Sequence, residues 1–440
     1  MSFSTLLFSK ESRVFYDGNL FVSNEIIDSI FKNNDLKTGI DNLIDLYLEN
    51  GYPFIKIDID SVLMVGDFDL YYLTIKENGR FYIDRIENVY NVKNSYLNGV
   101  LRLKNKPFKE SLIVEKLKNL SFNEDLIIDT TFFLEKCSDT SVVVKTKIKQ
   151  GKLSSISGIL TSSLDTLSLN GFLNIYLKSP FGFFDVYSIN YQRINKNNTY
   201  LTGSTEFPYI FSTPVGLFGN INFESIETYY NKEEYNFGVK VFITERFSVS
   251  TGYGKRNINF LSSDSLDISE NSLLGSIDYL SKQFFFSNRS SINYSDIKNS
   301  WAFMIQKFGY KNSIKTFGYW FTFDSYINFS SNLKDYMKVQ IGGNDNLKGY
   351  PENFLKVYNF FYQEIKVGYL GKSIESGLFF DNILYNIEKL KDFKNYRDLF
   401  SYGIFLSTNL SNYKASLFYA LNKDITPLQG RIHLLFSIFF

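Results

Sequence analysis

The last eleven residues, Gly430-Arg431-Ile432-His433-Leu434-Leu435-Phe436-Ser437-Ile438-Phe439-Phe440, set Ile432, Leu434, Phe436, Ile438 and Phe440 on one face at a period of two. A strand with such a face at the end of a chain is an apolar edge, and apolar edges recruit other strands. The arrangement is safe where a sheet closes on itself and turns that face to lipid. A closed barrel has no edge and leaves no backbone group unpaired in the membrane.

The preceding residues support this constraint. From Gly151 onward the helical period nearly vanishes and short alternating runs take over. Phe237, Val239 and Val241 alternate with Gly238, Lys240 and Phe242, and Tyr402, Ile404 and Leu406 alternate with Ser401, Gly403 and Phe405. At roughly ten residues per strand plus turns, residues 151–440 hold about 16 antiparallel strands. An even number lets the first strand, read as Leu153 to Leu160, meet the last. No run reaches the roughly 18 apolar residues of a spanning helix, and a barrel needs none. Tyr187, Tyr191 and Trp301, near strand ends, read as interfacial aromatics on the lipid face. The opposite face carries Ser, Asn, Lys, Gly and Thr, as a wet lumen requires.

Residues 10–150 have a different rhythm. Asn24 to Phe31 and Thr38 to Asn50 carry apolar residues at helical spacing, and Gly51 stands where a helix C-terminus places glycine. A short strand, Arg13 to Tyr16, precedes them. Pro53 to Val62 and Phe68 to Lys76, split by a Gly66-Asp67 turn, read as strands. The same order returns as strand Arg80 to Val89, helices Ser95 to Leu103 and Ser111 to Leu120, and strands Asp129 to Glu135 and Ser141 to Lys149. Two units of about 70 residues with one layout form an internal repeat. The expected divisions are 1–9, 10–79, 80–150 and 151–440. Ser2 to Ser9 read as the remnant of a secretory signal, an apolar core ending at a small residue.

Composition narrows the functional classes. Aromatics make up 18% of the chain, far from a disordered composition. A net charge of +1 gives no footprint for nucleic acid. The single Cys137 forms no intrachain disulfide, and the single His433 reads as a lumen-facing side chain. One Cys and one His exclude the usual zinc clusters, and no nucleophile elbow, phosphate loop or dinucleotide fingerprint is present. The expectation is a protein that is not an enzyme and needs no metal or cofactor.

A glycine-rich segment, Ile341-Gly342-Gly343-Asn344-Asp345-Asn346-Leu347-Lys348-Gly349-Tyr350, stands between two strong strands. In place and pattern it resembles the Gly-Gly…Arg-Gly-Phe/Tyr loop of the BamA/TamA-like outer-membrane assembly superfamily. Phe379-Phe380-Asp381-Asn382 resembles that family's Phe-x-Asp strand, and Glu364 stands where the preceding strand carries an inward glutamate. The terminal strand resembles the family's carboxy-terminal signal. The repeated units, with Glu49-Asn50-Gly51-Tyr52-Pro53-Phe54, resemble POTRA modules.

The resemblance implies α+β periplasmic modules followed by an all-β transmembrane barrel. It implies a loop, Gly342, Gly343, Leu347, Lys348, Gly349 and Tyr350, folded into the lumen, with Lys348 meeting Asp381 and Glu364. The family's arginine is replaced by Lys348, which keeps the charge but lacks the planar fork. The implied partners are unfolded outer-membrane or secreted polypeptides, the lipid bilayer and accessory assembly proteins. The implied location is the outer membrane of a Gram-negative bacterium, or of an organelle. Two devices would serve such a role. One is strand addition at a module edge. The other is a seam between the first strand, with Ile156 and Gly158, and the terminal strand. Glycine weakens a strand, so the seam could open sideways. A two-partner secretion pore for one exported protein fits the same layout.

Overall fold

The structure is a computed structural model that describes residues 12–439 except 33, 66–67, 121–125, 152–153, 164–167, 196–197, 227–228, 262–266, 282, 296–299, 330–333, 344–345, 352–353, 372, 388–395 and 411. The expected signal remnant, the Gly66-Asp67 turn, Leu153 and Phe440 lie outside the described residues. The chain divides into two compact units, one ending at Lys149 and one running from Gln150.

The first unit holds two modules of one topology. In the first, β1 (Ser12–Asp17) leads through α1 (Asn24–Lys32) and α2 (Leu36–Glu49) to β2 (Lys56–Val65) and β3 (Phe68–Lys76). β3 lies in the middle, parallel to β1 and antiparallel to β2. The parallel pair requires a long crossover, which the two helices supply. Asp35 caps α2 by accepting a hydrogen bond from the Thr38 amide. Ile27, Leu43 and Tyr47 from the helices pack on Ile75 of β3. Gly39 lets α2 come close to α1, since a Cβ there would lie 2.5 Å from the Phe31 ring. β2 is left as an outer strand, with Ile59, Val62, Leu63, Met64 and Val65 exposed.

The second module repeats the plan with β4 (Tyr82–Asn88), α3 (Asn94–Leu101), α4 (Glu110–Leu120), β5 (Leu126–Lys136) and β6 (Ser141–Gln150). Its sheet order is β4-β6-β5, with β4 and β6 parallel. The modules are joined by more than a linker. The Phe81 amide donates to the Gly51 carbonyl at 2.8 Å, and the Phe54 and Phe81 rings meet edge to face. Glu49, at the end of α2, accepts hydrogen bonds from the Ser111 amide and hydroxyl on α4 at 2.7 and 2.5 Å. Lys109 adds a contact at 3.5 Å.

The second unit is a closed antiparallel barrel of 16 strands. In chain order they are β7 (Ser155–Ser163), β8 (Ser168–Lys178), β9 (Val186–Asn195), β10 (Asn198–Phe207), β11 (Val215–Ile226), β12 (Tyr230–Phe242), β13 (Phe247–Phe260), β14 (Ile268–Leu280), β15 (Phe284–Ser295), β16 (Ser300–Ile314) and β17 (Phe317–Asn328). A small hairpin of β18 (Val339–Ile341) and β19 (Leu355–Val357) interrupts the series. The barrel resumes with β20 (Asn359–Leu370), β21 (Ile374–Asn386), β22 (Arg397–Leu410), β23 (Tyr413–Asn422) and β24 (Arg431–Phe439). Phe237, Val239, Val241, Ile404 and Leu406 are exposed on the outer face. Lys240, between two of them, faces inward and pairs with Glu206 at 3.0 Å. Period two therefore sorts apolar from polar across the wall, as expected of a barrel.

Trp301 departs from its expected place. It is buried in the interior rather than on the outer face, and its indole donates to Glu270 at 3.1 Å. The stretch Trp301-Ala302-Phe303-Met304-Ile305 is apolar on both faces, because the inner face packs on apolar residues of the loop between β17 and β20.

Candidate functional site: the lumen loop and the seam

The connection between β17 and β20 is long, and seven of its described apolar residues are buried against the barrel wall. Ile341, Leu347, Tyr350 and Val357 join Tyr326, Tyr362, Ile383 and Leu399 of the β17 and β20–β22 wall in one buried cluster. Tyr336, Met337 and Tyr358 join Ile226, Ile258 and Trp301 of the β11–β16 wall in another. Gly342 and Gly343 adopt φ of +108° and +89°, conformations that side chains disfavour. The turn they make is closed by two hydrogen bonds between Gly343 and Leu347, at 3.1 and 3.2 Å. That turn delivers Lys348 and Gly349 to the wall.

The wall receives them with a row of polar residues. Register places Glu364 opposite Asp381, Asp381 opposite Ser401, and Ser401 opposite Asn422, across β20 to β23. Two carboxylates facing each other across a ladder repel. Lys348 answers that repulsion. Its Nζ lies 2.5 Å from Glu364 Oε1 and 3.5 Å from Asp381 Oδ2, and its side chain is only 4% exposed. Lys366 takes the other Glu364 oxygen at 2.9 Å, so two lysines balance two acids. Tyr362 and Ser401 hydroxyls each donate to Asp381 at 3.1 Å. The Phe379 and Phe418 rings flank the Lys348 ammonium at 5.3 and 5.4 Å, within cation–π range.

The backbone is held as firmly. Asn422 Nδ2 donates to the Gly349 carbonyl at 2.7 Å, and His433 Nε2 donates to the Lys348 carbonyl at 2.6 Å. A carbonyl can only accept, so His433 carries its proton on Nε2. A Cβ on Gly349 would fall 2.6 Å from the Leu421 carbonyl, so glycine sets the depth of docking. Tyr350 is buried beside it. Sequence reasoning named Lys348, Glu364 and Asp381 but not Tyr362, Ser401 or Asn422, and it gave His433 no partner. Their inward parity was readable. Their common row was not, because register across separate strands is not written in any one of them.

A second anchor holds the loop's first arm to β14, four strands round the ring from β20. The Tyr336 hydroxyl donates to Glu270 at 2.8 Å. Glu270 also takes the Trp301 indole and contacts Arg256 at 3.3 Å, while Arg256 pairs with Glu234 at 2.7 Å. Gln340 donates to Tyr200, further round the same wall.

The seam is the other feature. Among the described residues, β24 and β7 share three register pairs, Ser437 with Ser157, Ile438 with Ile156, and Phe439 with Ser155. The other neighbouring strands of the barrel share eight to thirteen. The ladder stops where Gly158 would face Phe436, leaving Gly158–Ser163 and Arg431–Phe436 beyond it. Ile432, Leu434, Phe436, Ile438 and Ile156 all point outward and are exposed.

No family model matches this sequence, and no curated protein matches it. Solved structures do. BamA from Haemophilus ducreyi lacking POTRA domains 1–3 superposes with a TM-score of 0.59 at 15% identity, covering 97% of this chain and 98% of that one. CdiB from Acinetobacter baumannii gives 0.56 at 11% identity, over 98% and 89% of the two chains. CdiB from Escherichia coli gives 0.56 at 12%, over 100% and 93%. At such identities the likeness is one of fold, and it runs from end to end: this chain has the fold of the BamA- and CdiB-type barrels.

Proposed function

We propose that the protein is an outer-membrane barrel that passes polypeptides into or across the bilayer. The seam carries the reading. Within lipid every unpaired backbone group costs several kcal/mol, roughly 2–7 by transfer measurements. A closed barrel normally avoids that cost, and among the described residues this one has its shortest ladder between β24 and β7. Those strand edges offer hydrogen-bond partners to an incoming extended segment. The exposed outer strand β2 of the first module offers the same kind of pairing before the client reaches the membrane. No covalent chemistry is needed.

The fold likeness reaches both BamA and CdiB, so two outcomes follow from one architecture. We favour a factor that inserts client strands through the seam. The alternative is a pore that exports one dedicated protein through the lumen, past a loop that has moved aside. A cysteine pair at register partners Ser157 and Ser437, in a Cys137→Ser background, separates them. Oxidation is expected to stop insertion of a client barrel and reduction to restore it. Unchanged insertion with the pair locked would sink the lateral route. Depleting the protein and comparing membrane and secreted proteins distinguishes loss of many barrels from loss of one exported protein.

A further inference from the structure

The turns at one end of the barrel are unequal. At the end where β7 begins, the turns after β12, β14, β16, β20 and β22 hold two to four residues. They carry polar residues such as Arg246, Gln283, Lys315 and Asn412. The turns after β8 and β10 hold seven each, Ser179–Asp185 and Pro208–Pro214. Both are aromatic, and both lie on the β7 side of the seam, with β9 and β10 paired between them. Phe211 is 91% exposed and Phe181 64%. Elsewhere at this end the exposed aromatics Phe317, Tyr369 and Tyr413 stand on the strands themselves.

These long turns are stiff. Five of the non-glycine residues with positive φ belong to them: Ser179, Phe184, Tyr209, Phe211 and Ser212. Such conformations are strained for bulky side chains and persist only where the surroundings enforce them. Pro180, Pro208 and Pro214 restrict the chain further. In the first turn, Asp185 Oδ1 accepts from the Phe183 amide at 3.1 Å and Ser179 Oγ from the Phe184 amide at 3.0 Å. In the second, the Thr213 amide and hydroxyl both donate to the Ile210 carbonyl. Phe181, Tyr187 and Phe207 then link the two turns as an edge-to-face ladder, with centroids 5.9 and 5.7 Å apart. Two rigid, strained loops thus present phenyl rings beyond the strand ends, continuous with the outer apolar face through Tyr187, Ile189 and Leu201.

We infer that the turns Ser179–Asp185 and Pro208–Pro214 are a membrane anchor, whose Phe181 and Phe211 rings seat at the headgroup–acyl boundary of the near leaflet beside the seam. An aromatic ring at that depth buries its apolar body while the turn's backbone stays hydrated. The anchor fixes the level of the leaflet where a client strand would enter. This rests on the reading of the barrel as membrane-spanning.

The test uses full-length protein with Cys137→Ser and single cysteines replacing Phe181, Phe211, Gln283 or Ile404, each labelled with an environment-sensitive fluorophore. The proteins are reconstituted in phosphatidylethanolamine/phosphatidylglycerol vesicles. Labels at 181 and 211 are expected to be quenched by a nitroxide placed high on the acyl chain and several-fold protected from aqueous iodide. The label at 283 should show the reverse, and the label at 404 should report lipid. If 211 behaves like 283 while 404 lies in lipid, the anchor is refuted. If 404 also lies in water, the membrane reading itself fails. Protection of 211 that appears only on adding soluble protein assigns the surface to a protein and overturns the proposal. Phe181→Ser with Phe211→Ser is expected to leave barrel folding intact and slow client insertion several-fold, and an unchanged rate argues that the anchor serves no role at the seam.

Discussion

Lys348 sits where a charge is hardest to keep, and the reason it is kept lies in its neighbours. Glu364 and Asp381 face each other across a ladder, so the wall needs a cation as much as the cation needs the wall. Removing one partner of a buried pair typically costs about 3–5 kcal/mol, because the other charge is stranded. Lys348→Met should therefore release the loop tip, read as rapid proteolysis at the loop in folded barrels. Lys348→Arg should keep the tip docked, since a guanidinium fork can span both carboxylates. Release by the arginine variant would show that the Phe379 and Phe418 rings admit only the slimmer ammonium.

At the scale of elements, alternation was the readable signal. Phe237, Val239 and Val241 disclosed both the strand and its outer face. Trp301 misled because an inner wall lined by a buried loop is as apolar as an outer one. The loop itself, with Asn344, Asp345 and Asn346, has the composition of an ordinary solvated connection, and its interior place was legible only through the family resemblance. The join between the two small modules was not foreseen either. Burial alone would raise the Glu49 carboxyl, but the Ser111 hydrogen bonds and Lys109 outweigh it, so the group lies below the usual carboxylate range. A carboxyl lowered by folding stabilises above its unfolded pKa, about 4.3, and loses that contribution as pH falls through the folded value. The join should hold at neutral pH and loosen in acid. Residual dipolar couplings on residues 12–149 would show it, and Glu49→Ala should be loose at neutral pH and indifferent to acid. A wild-type join equally firm in acid would mean that the Phe54–Phe81 contact carries it alone.

For the barrel as a whole, strand pairing is graded around the ring. β12 and β13 share thirteen pairs, and β24 and β7 share three. Hydrogen exchange in detergent should follow this gradient. Amides of Gly158–Ser163 and Arg431–Phe436 that point across the seam should exchange first, and those between β12 and β13 last. Uniform protection would mean that the seam is zipped in solution. The loop between β17 and β20 adds a mechanical consequence. Fixed at Glu364 and Asp381 on β20 and β21, at Glu270 on β14 and at Tyr200 on β10 half-way round, it is a tie rod across a ring. A tie rod limits girth: the cylinder cannot dilate, or gape far at its weakest joint, without stretching or dropping one end of that rod.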